Sequence, residues 1–209
     1  MYTLKMFGRV YRAEIWAFIE DHGFATLVTH DGRRPIATHL PVALVDREED
    51  SMTLVGHLAR ANPQWRSLDN GEALLIFSGP QAYISPRWYN HLNVPTWNYQ
   101  AVHVYGKART VDDGELRSIL ARLVGNHEAG SSYKFETLPE GFVEEEMRGA
   151  VGFALDVTEI EASWKLSQNR DDESHANIVG ELEKRGDENA REVARAMRAQ
   201  RGKRPEPLR

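Results

Sequence analysis

Apolar residues recur at helical spacing in parts of this chain and alternate with polar residues in most of the rest. In the range 11–22 they recur every three or four residues, and Gly23 then provides a natural end, so we predict a first helix here. A clean apolar stripe over 113–126 predicts a second helix. In 173–200 two stripes lie on either side of Gly186-Asp187, which predicts two short amphipathic helices.

Strand-like alternation begins directly after the first helix. Asp31-Gly32 lies between two alternating runs, which is a strong signal for a hairpin. Pro35 and Pro41 fall within the second run, so they predict an edge strand, a bulge or a strand that leaves its ladder. The run "SMTLVGHL" (51–58) predicts a third strand, and a short helix is expected to begin at Pro63.

Three later runs predict further strands. "EALLIFSGPQAYISP" predicts two strands around Gly79-Pro80, "TWNYQAVHVYGKART" one long strand, and "VGFALDVTEIEASWKL" a strand with a turn near Thr158 or Glu159. The connections are too short for parallel crossovers, so we expect a largely antiparallel sheet. Six or seven short strands in meander or Greek-key order favour a closed or partly closed barrel with flanking helices. We therefore assign the chain to the α+β class.

Composition and charge narrow the class of protein. The 209 residues are 41% hydrophobic and 27% charged, which is typical of one globular domain with appendages. The apolar runs are too short to span a bilayer and the polar start does not resemble a secretory signal. We therefore expect a cytoplasmic protein with no membrane contact. The absence of cysteine excludes disulfides, thiolate catalysis and cysteine-based metal sites.

The charge balance bears on nucleic acid as a partner. A net charge of −5 is the opposite of the basic footprint that nucleic-acid binding usually leaves. The acidic stretch "FVEEEM" (142–147) also argues against a broad DNA-binding face. The basic segment "RGKRPEPLR" at the C-terminus is expected to be a solvated tail.

The segment "HLARANPQW" (57–65) supports two interpretations. Asn62 is a favoured N-cap and Pro63 suits the first helical position, so a capped helix explains both and leaves Arg60 solvated. In the alternative, the N–H groups of Gln64 and Trp65 form an anion site with the helix dipole, and Arg60 supplies a guanidinium group for a phosphate. The residues alone favour the cap.

Two other segments are rich in groups that suit a ligand. Among the aromatic residues of 83–99, Tyr83 is expected in the core, while a core role and a ligand or interface role are equally supported for Trp97. "WKLSQNR" (164–170) concentrates side-chain donors at the end of the last strand. These form either a polar loop or contacts to a heterocycle or phosphate. The histidines lack HExxH spacing, so no metal site is expected. GxSxG, Walker A and GxGxxG motifs are absent, so serine hydrolases and the commonest nucleotide-binding folds lose support.

Four segments in this order, "HLARANPQW", "AYISPRWY", "VPTWNYQAVHVYGKA" and "KLSQNR", resemble the PaiB family, the FMN-binding negative transcriptional regulators of bacteria. The resemblance runs from Met1 to about Gly186. It implies an FMN-binding split β-barrel that acts as a homodimer with flavin at the subunit interface. We accordingly divide the chain into a split-barrel FMN-binding domain, 1–186, and a C-terminal helix with a basic tail, 187–209.

The resemblance also implies positions for the cofactor. His57, Arg60 and Asn62 match the place where such barrels hold the phosphate and ribityl chain of FMN. Thr38 and His39 match the strand that lies along the ring. The remaining matches are implied to come from the partner subunit or to lie at the edge of the ring, and they are Trp97, Asn98, Lys165, Ser167, Gln168 and Asn169.

Three functions are compatible with these expectations. The first is a flavin-dependent redox or sensor protein, in which the chemistry belongs to the cofactor. The second is a transcriptional regulator that uses flavin or another ligand as effector. The third is haem binding through His39, His57 or His103. Catalysis itself stays open, because no residue has an unambiguous acid–base role.

Overall fold

The computed structural model describes residues 1–3, 7–8, 10–48 and 51–202. The expected basic tail therefore lies, from residue 203 onward, outside the described residues. The helices and strands are, in chain order, α1 (Arg12–Asp21), β1 (Phe24–His30), β2 (Pro35–Glu48), β3 (Ser51–Ala59), β4 (Ala73–Ile84), β5 (Thr96–Thr110), α2 (Asp113–His127), α3 (Glu140–Arg148), β6 (Ala150–Lys165), α4 (Asp172–Arg185) and α5 (Glu188–Arg201). Short 3₁₀ helices span Pro63–Ser67, Pro86–Trp88 and Phe135–Thr137.

The six strands of the described chain close into a barrel in the neighbour order β1-β2-β3-β6-β5-β4. β1 pairs antiparallel with β2 and β4, and β3 pairs antiparallel with β2 and β6. Closure leaves no free sheet edge, which is one way in which all-antiparallel sheets avoid edge pairing. The predicted α+β barrel fold is therefore confirmed, and four of the five predicted helices are present as α1, α2, α4 and α5.

The chain divides into two compact units. Unit 1 consists of Met1–Ile15, Ser78–Val102 and Glu161–Arg209, and unit 2 consists of Trp16–Phe77 and His103–Ile160. Both C-terminal helices belong to unit 1. The division at residue 187 expected from the resemblance stays a prediction.

Unit 2 has apolar residues on both faces of its strands. One face points into the barrel and carries fully buried side chains such as Leu27, Leu54 and Phe153. Gly56 pairs with Phe153, and a Cβ at this position would lie only 2.8 Å from the Phe153 ring, so a larger residue does not fit. The opposite face is covered by α2, since Ile119 and Leu123 pack on three strand residues, which are Ala43, Val55 and Ala154.

Unit 1 contains a helical hairpin. Gly186 ends α4 in the left-handed conformation at φ 73°, and Asp187 then caps α5 by accepting a hydrogen bond from the Ala190 N–H. Glycine suits this conformation because it lacks a Cβ. The buried faces of the two helices consist of Ile178, Val179 and Leu182 on α4, and of Ala190, Val193, Ala194 and Met197 on α5.

Two strand predictions require correction. The sequence predicts two strands around Gly79-Pro80, but β4 is continuous there. The buried residues of β4 are at 73, 75 and 77 before this pair and at 82 and 84 after it. The buried side of the strand therefore changes from odd-numbered to even-numbered positions at Gly79-Pro80, but the strand does not end there. The sequence also predicts a turn near Thr158 or Glu159, but β6 runs straight through both, and the Thr158 hydroxyl donates to Glu72 at 2.8 Å.

Pro41 marks a change of partner strand in β2, whereas Pro35 is the first residue of the strand and pairs with His30. Pro41 is the last residue paired with β1, and from Val42 onward β2 pairs with β3. β2 thus leaves one ladder for another, and the alternatives of an edge or a bulge at the prolines are wrong. The register shift lies further along, between Leu44 and Asp46.

Two helical segments also differ from expectation. The helix predicted from Pro63 is a 3₁₀ helix of only five residues. α3 has no counterpart in the prediction, because Val143 is its single buried residue and one apolar contact leaves no periodic signal. Across the described residues, each helix is too short or too polar to cross a bilayer.

Candidate functional site

A buried amide organises the motif "HLARANPQW" in unit 2. The side chain of Gln64 is 2% exposed, and its Nε2 donates to the carbonyl oxygens of Leu27 at 3.1 Å and Ile36 at 3.3 Å. Its Oε1 accepts a hydrogen bond of 2.5 Å from the Thr38 hydroxyl. Leu27 and Thr38 are directly paired across β1 and β2, so the Gln64 amide bonds both of these strands.

Asn62 completes this network. Its Oδ1 accepts from the Gln64 N–H at 3.0 Å, as predicted for an N-cap, and its Nδ2 donates to Thr38 Oγ1 at 2.8 Å. The cap therefore uses one of the two N–H groups expected to bind an anion. Because the helix is a single 3₁₀ turn, it also lacks the aligned peptides of a helix dipole. Neither the Gln64 N–H nor a helix dipole therefore supports the predicted helix-terminal anion site.

The side chain of Arg60 makes two hydrogen bonds to backbone carbonyl groups. Its Nε donates to the carbonyl oxygen of Arg148 at 2.7 Å, and its Nη2 donates to that of Ala150 at 2.8 Å. Arg60 is exposed, as expected if Asn62 acts as a cap, but it is also bonded to two backbone carbonyl oxygens. Two of its five N–H groups are used, so three have no acceptor among the described residues.

A groove of about 590 Å³ lies beside Arg60. Arg117 on its wall is paired with Glu140 through two hydrogen bonds of 2.7 and 2.9 Å. Since guanidinium groups and carboxylates both line it, the groove is not strongly positive as a whole. Its charged lining residues are Arg60, Arg117, Arg148, Asp113, Glu140 and Glu144.

His57 faces away from the Gln64 network. It pairs with Gly152, whose open side meets Val111 and Leu116, so the His57 ring lies on the face that α2 covers. Its Nδ1 is buried without a hydrogen-bond partner in the described part of the chain. Burial lowers the pKa of His57 below its usual value and favours the neutral ring.

His39 and Thr38 leave β2 in opposite directions, because side chains alternate along a strand. Thr38 faces the barrel interior, whereas His39 is exposed and its Nδ1 is bonded to Thr26 Oγ1 at 2.9 Å. The His39 ring also stacks against exposed Phe24, with 6.3 Å between the ring centroids. The two residues assigned to the ring-facing strand therefore line different surfaces.

In unit 1, Asn98 and Ser167 form a closed pair. Asn98 is fully buried and its Nδ2 donates to Ser167 Oγ at 3.0 Å, while the Ser167 hydroxyl donates back to Asn98 Oδ1 at 3.1 Å. Asn98 also contacts Met197 Sδ of α5 at 3.3 Å. Ser167 has φ 60°, so this pair holds a strained turn directly after β6.

The rest of "KLSQNR" is divided between internal and surface roles. Gln168 accepts from the Leu166 N–H at 2.8 Å and donates to the Trp164 carbonyl oxygen, so its amide closes the turn. Lys165 Nζ donates to Thr96 Oγ1 at 2.6 Å. Asn169 is exposed, and its side chain has no hydrogen-bond partner among the described residues.

Trp97 and Tyr83 form an exposed aromatic pair in unit 1. Their side chains are 52% and 40% exposed, and their rings meet edge to face with 6.0 Å between the centroids. The expectation of a core role for Tyr83 is therefore wrong. Trp97 is also exposed, so of the two roles considered for it the ligand or interface role fits the structure and the core role does not.

Comparison with known proteins assigns the family. Residues 1–159 match the model of the family described as "Putative FMN-binding domain". The chain is also 40% identical over 200 residues to the Bacillus subtilis protein "Protease synthase and sporulation protein PAI 2", covering 94% of this chain and 96% of that one. The chain belongs to the PaiB family of FMN-binding proteins.

Two solved structures share the fold of this PaiB-family chain. They are the FAD and haem binding protein from Mycobacterium smegmatis, with a TM-score of 0.56 and 15% identity, and the flavocytochrome Anf3 from Azotobacter vinelandii, with a TM-score of 0.54 and 17% identity. The alignments cover 74% and 80% of this chain and 71% and 74% of the other chains, respectively. At these identities the likeness shows the fold, which is the predicted split barrel.

The free polar groups in unit 2 suit the polar part of a flavin nucleotide. Three N–H groups of Arg60 remain for a phosphate, and Asn62 and Thr38 retain one donor and one acceptor position. Sequence reasoning considered only the backbone N–H of Gln64 and missed its side-chain amide. Its partners Leu27 and Ile36 lie 37 and 28 positions away and contribute only backbone oxygens, so no side-chain pattern reveals them.

Proposed function

We propose that this PaiB-family protein binds FMN and works as a flavin-dependent redox or sensor protein. The observation that carries the proposal is the arrangement of unit 2, in which Arg60, Asn62 and Thr38 keep polar groups free within the segments that resemble the family's cofactor motifs. When bound, FMN supplies one- and two-electron redox chemistry. The protein's own groups bind the cofactor, orient it and control access to it.

The roles of the unit 2 residues follow from their free atoms. Arg60 holds the phosphate, because a guanidinium group already fixed by two carbonyl oxygens presents its remaining N–H groups with little loss of side-chain freedom. Asn62 and Thr38 bind the adjoining ribityl chain. His39 is proposed to contribute from the opposite face of β2, where the ring of Phe24 offers an apolar surface. His57 lies on the face of β3 that α2 covers, so its proposed contribution is separate from that surface.

We propose that some of the unit 1 site residues contact the cofactor and that the others stabilise the local fold. Trp97, Lys165 and Asn169 have exposed or partly exposed groups and are proposed as contacts at the ring edge or from the partner subunit. Asn98, Ser167 and Gln168 satisfy one another or the local backbone, so we assign them to holding that segment in shape.

We further propose a cytoplasmic homodimer with the flavin at the subunit interface, as the resemblance implies. The exposed apolar side chains of unit 1 support an interface, since they include Trp97, Leu92 and Val94. Size-exclusion chromatography with light scattering tests the dimer. A monomer at all concentrations, with FMN bound, overturns it.

The decisive experiment is a titration of the purified protein with FMN, followed by absorption and by quenching of flavin fluorescence. Binding is expected at one FMN per chain, with FAD as the competing flavin. A matched pair of variants, Arg60→Ala and Arg148→Ala, separates the phosphate contact from the general charge of the groove. Failure of the wild-type protein to bind any flavin overturns the proposal.

Haem is the second candidate, and the unpartnered Nδ1 of His57 favours it. Burial keeps that imidazole neutral, which is the form that ligates iron. Haem titration tests it: a Soret band that is lost in His57→Ala but kept in His39→Ala supports this candidate. The same titration without any Soret band excludes it.

A role in transcriptional repression is proposed only from the family resemblance. Three of the four arginines of α5 are engaged in ion pairs, since Arg195, Arg198 and Arg201 are paired with Glu192, Glu183 and Asp172. DNA contact is therefore expected to be weak in this part of the chain. A mobility-shift assay with the protein's own promoter tests it, and weak, sequence-independent binding would count against it.

A further inference from the structure

The orientation of the Gln64 amide is determined by its surroundings. Its Nε2 faces the carbonyl oxygens of Leu27 and Ile36, which can only accept hydrogen bonds. The nitrogen must therefore be on that side, and the oxygen must face Thr38. Because an amide oxygen cannot donate, the Thr38 hydroxyl gives its proton to Gln64.

The orientation of Asn62 is determined in the same way. Its oxygen accepts from the backbone N–H of Gln64, so its nitrogen faces Thr38 Oγ1 and donates to it at 2.8 Å. The Thr38 hydroxyl thus donates its proton to Gln64 and accepts from Asn62 with one of its two lone pairs. Thr38 can only accept from a ligand through its remaining lone pair, and the Asn62 nitrogen beside it can donate to one through its remaining N–H.

We infer that Gln64 sets the hydrogen-bond polarity of the cofactor site, so that Thr38 and Asn62 together select a hydroxyl group. The inference rests on the proposed function and deepens it. A hydroxyl can donate to Thr38 and accept from Asn62 at once, whereas a phosphate, a carboxylate or a ketone can only accept. The hydroxyls of the ribityl chain have the required chemistry, and Gln64 acts through Thr38 as a positioning residue.

Ketone analogues of FMN test this polarity. In each analogue one ribityl hydroxyl is oxidised to a ketone, which keeps the acceptor and removes the donor. The wild-type protein is expected to bind one of these analogues about 10-fold more weakly than FMN, because one hydrogen bond is lost and two acceptors then face each other. Equal binding of FMN and every ketone analogue overturns the inference while leaving FMN binding intact.

Gln64→Leu tests the assigned cause. Without the amide, the Thr38 hydroxyl is free to rotate and donate to the ketone, so the preference for FMN is expected to fall from about 10-fold to within about threefold. Ser67→Ala is the matched control, because Ser67 bonds Thr29 and the Gln64 backbone but neither Thr38 nor Asn62. The control is expected to keep the wild-type preference, and an unchanged preference in Gln64→Leu overturns the inference.

Two variants of Thr38 keep the test valid if Gln64→Leu does not fold. Thr38→Ser retains the oxygen and is expected to keep the preference, whereas Thr38→Val is expected to lose it. The ratio of two affinities is the readout, and a loss of stability alone does not change that ratio. Preference retained in Thr38→Val contradicts the inference, and a wild-type protein that binds no FMN overturns both the inference and the proposed function.

Discussion

The guanidinium group of Arg60 donates through Nε to the carbonyl oxygen of Arg148, at 2.7 Å. A second bond from Nη2 reaches the carbonyl oxygen of Ala150 at 2.8 Å. Arg148 is the last residue of α3 and Ala150 the first of β6, so one side chain ties the end of β3 to the junction of these elements. An arginine proposed to bind phosphate therefore also has a structural role.

Arg60→Ala is expected to lower both stability and FMN affinity. Loss of two hydrogen bonds from an exposed charged group should reduce the free energy of unfolding by about 1 kcal/mol. Loss of the phosphate contact should weaken FMN binding by roughly 10- to 100-fold. Urea unfolding and fluorescence titration measure the two effects.

Arg148→Ala is the control for this prediction. It keeps the carbonyl oxygen that Arg60 contacts and removes only a neighbouring guanidinium group on the same groove. Its stability should stay within about 0.5 kcal/mol of the wild-type value, as for most surface substitutions. A variant Arg60→Ala that binds FMN like the wild type would remove Arg60 from the cofactor site.

Arg60 also illustrates what sequence can and cannot predict here. The hairpin at Asp31-Gly32 and the helical stripe of α2 depend on neighbouring residues, so local patterns predict them. The bonds of Arg60 join it to backbone oxygens 88 and 90 positions away, and carbonyl groups carry no residue-specific signal. Local patterns also do not reveal that β6 continues past Thr158, because its pairing with neighbouring strands of the barrel outweighs a weak local preference for a turn.

Asn62→Asp is expected to separate capping from cofactor binding. The carboxylate keeps an oxygen for the Gln64 N–H, so the cap survives, and stability should change by less than about 1 kcal/mol. The donor that faces Thr38 is lost and a negative charge is added near the proposed phosphate site. FMN binding should therefore fall at least about 10-fold, as measured by titration.

Asn62→Ala completes this comparison. It removes both the cap and the donor, so it should cost about 1 kcal/mol of stability as well as FMN affinity. Thermal unfolding followed by circular dichroism measures the first effect. If Asn62→Asp binds FMN as tightly as the wild type, the side chain acts as a cap only.

Stability should fall on acidification because of two histidines, buried His175 and partly buried His57. Burial lowers the pKa of His57, and burial together with Arg201 lowers the pKa of His175. The unfolded chain then binds more protons than the folded chain once the pH falls below about 6.5, so stability is lost from there down through the folded pKa values. Urea unfolding at pH 7.5, 6.5 and 5.5 measures this loss.

The slope of stability against pH is proportional to the difference in the number of protons bound by the unfolded and the folded chain. His57→Gln should reduce this difference by less than one proton, because a single titrating group is removed. His30→Gln is the control for the substitution itself, since it makes the same change at an exposed position on the β1–β2 hairpin. A wild-type slope in His57→Gln would mean that the buried ring does not remain neutral on folding.

Gly186→Ala is expected to destabilise the helical hairpin of unit 1. At φ 73° an alanine has to adopt the left-handed conformation, which should lower the free energy of unfolding by about 1 kcal/mol. The added Cβ would meet Arg191 Nη2 only at an ordinary 3.5 Å, so backbone strain and not a clash is the cause. Gly202→Ala is the matched control, because Gly202 has φ −70° in the right-handed region that alanine prefers. Thermal unfolding should show a lower midpoint for Gly186→Ala alone, and equal midpoints for the two variants would contradict the left-handed cap.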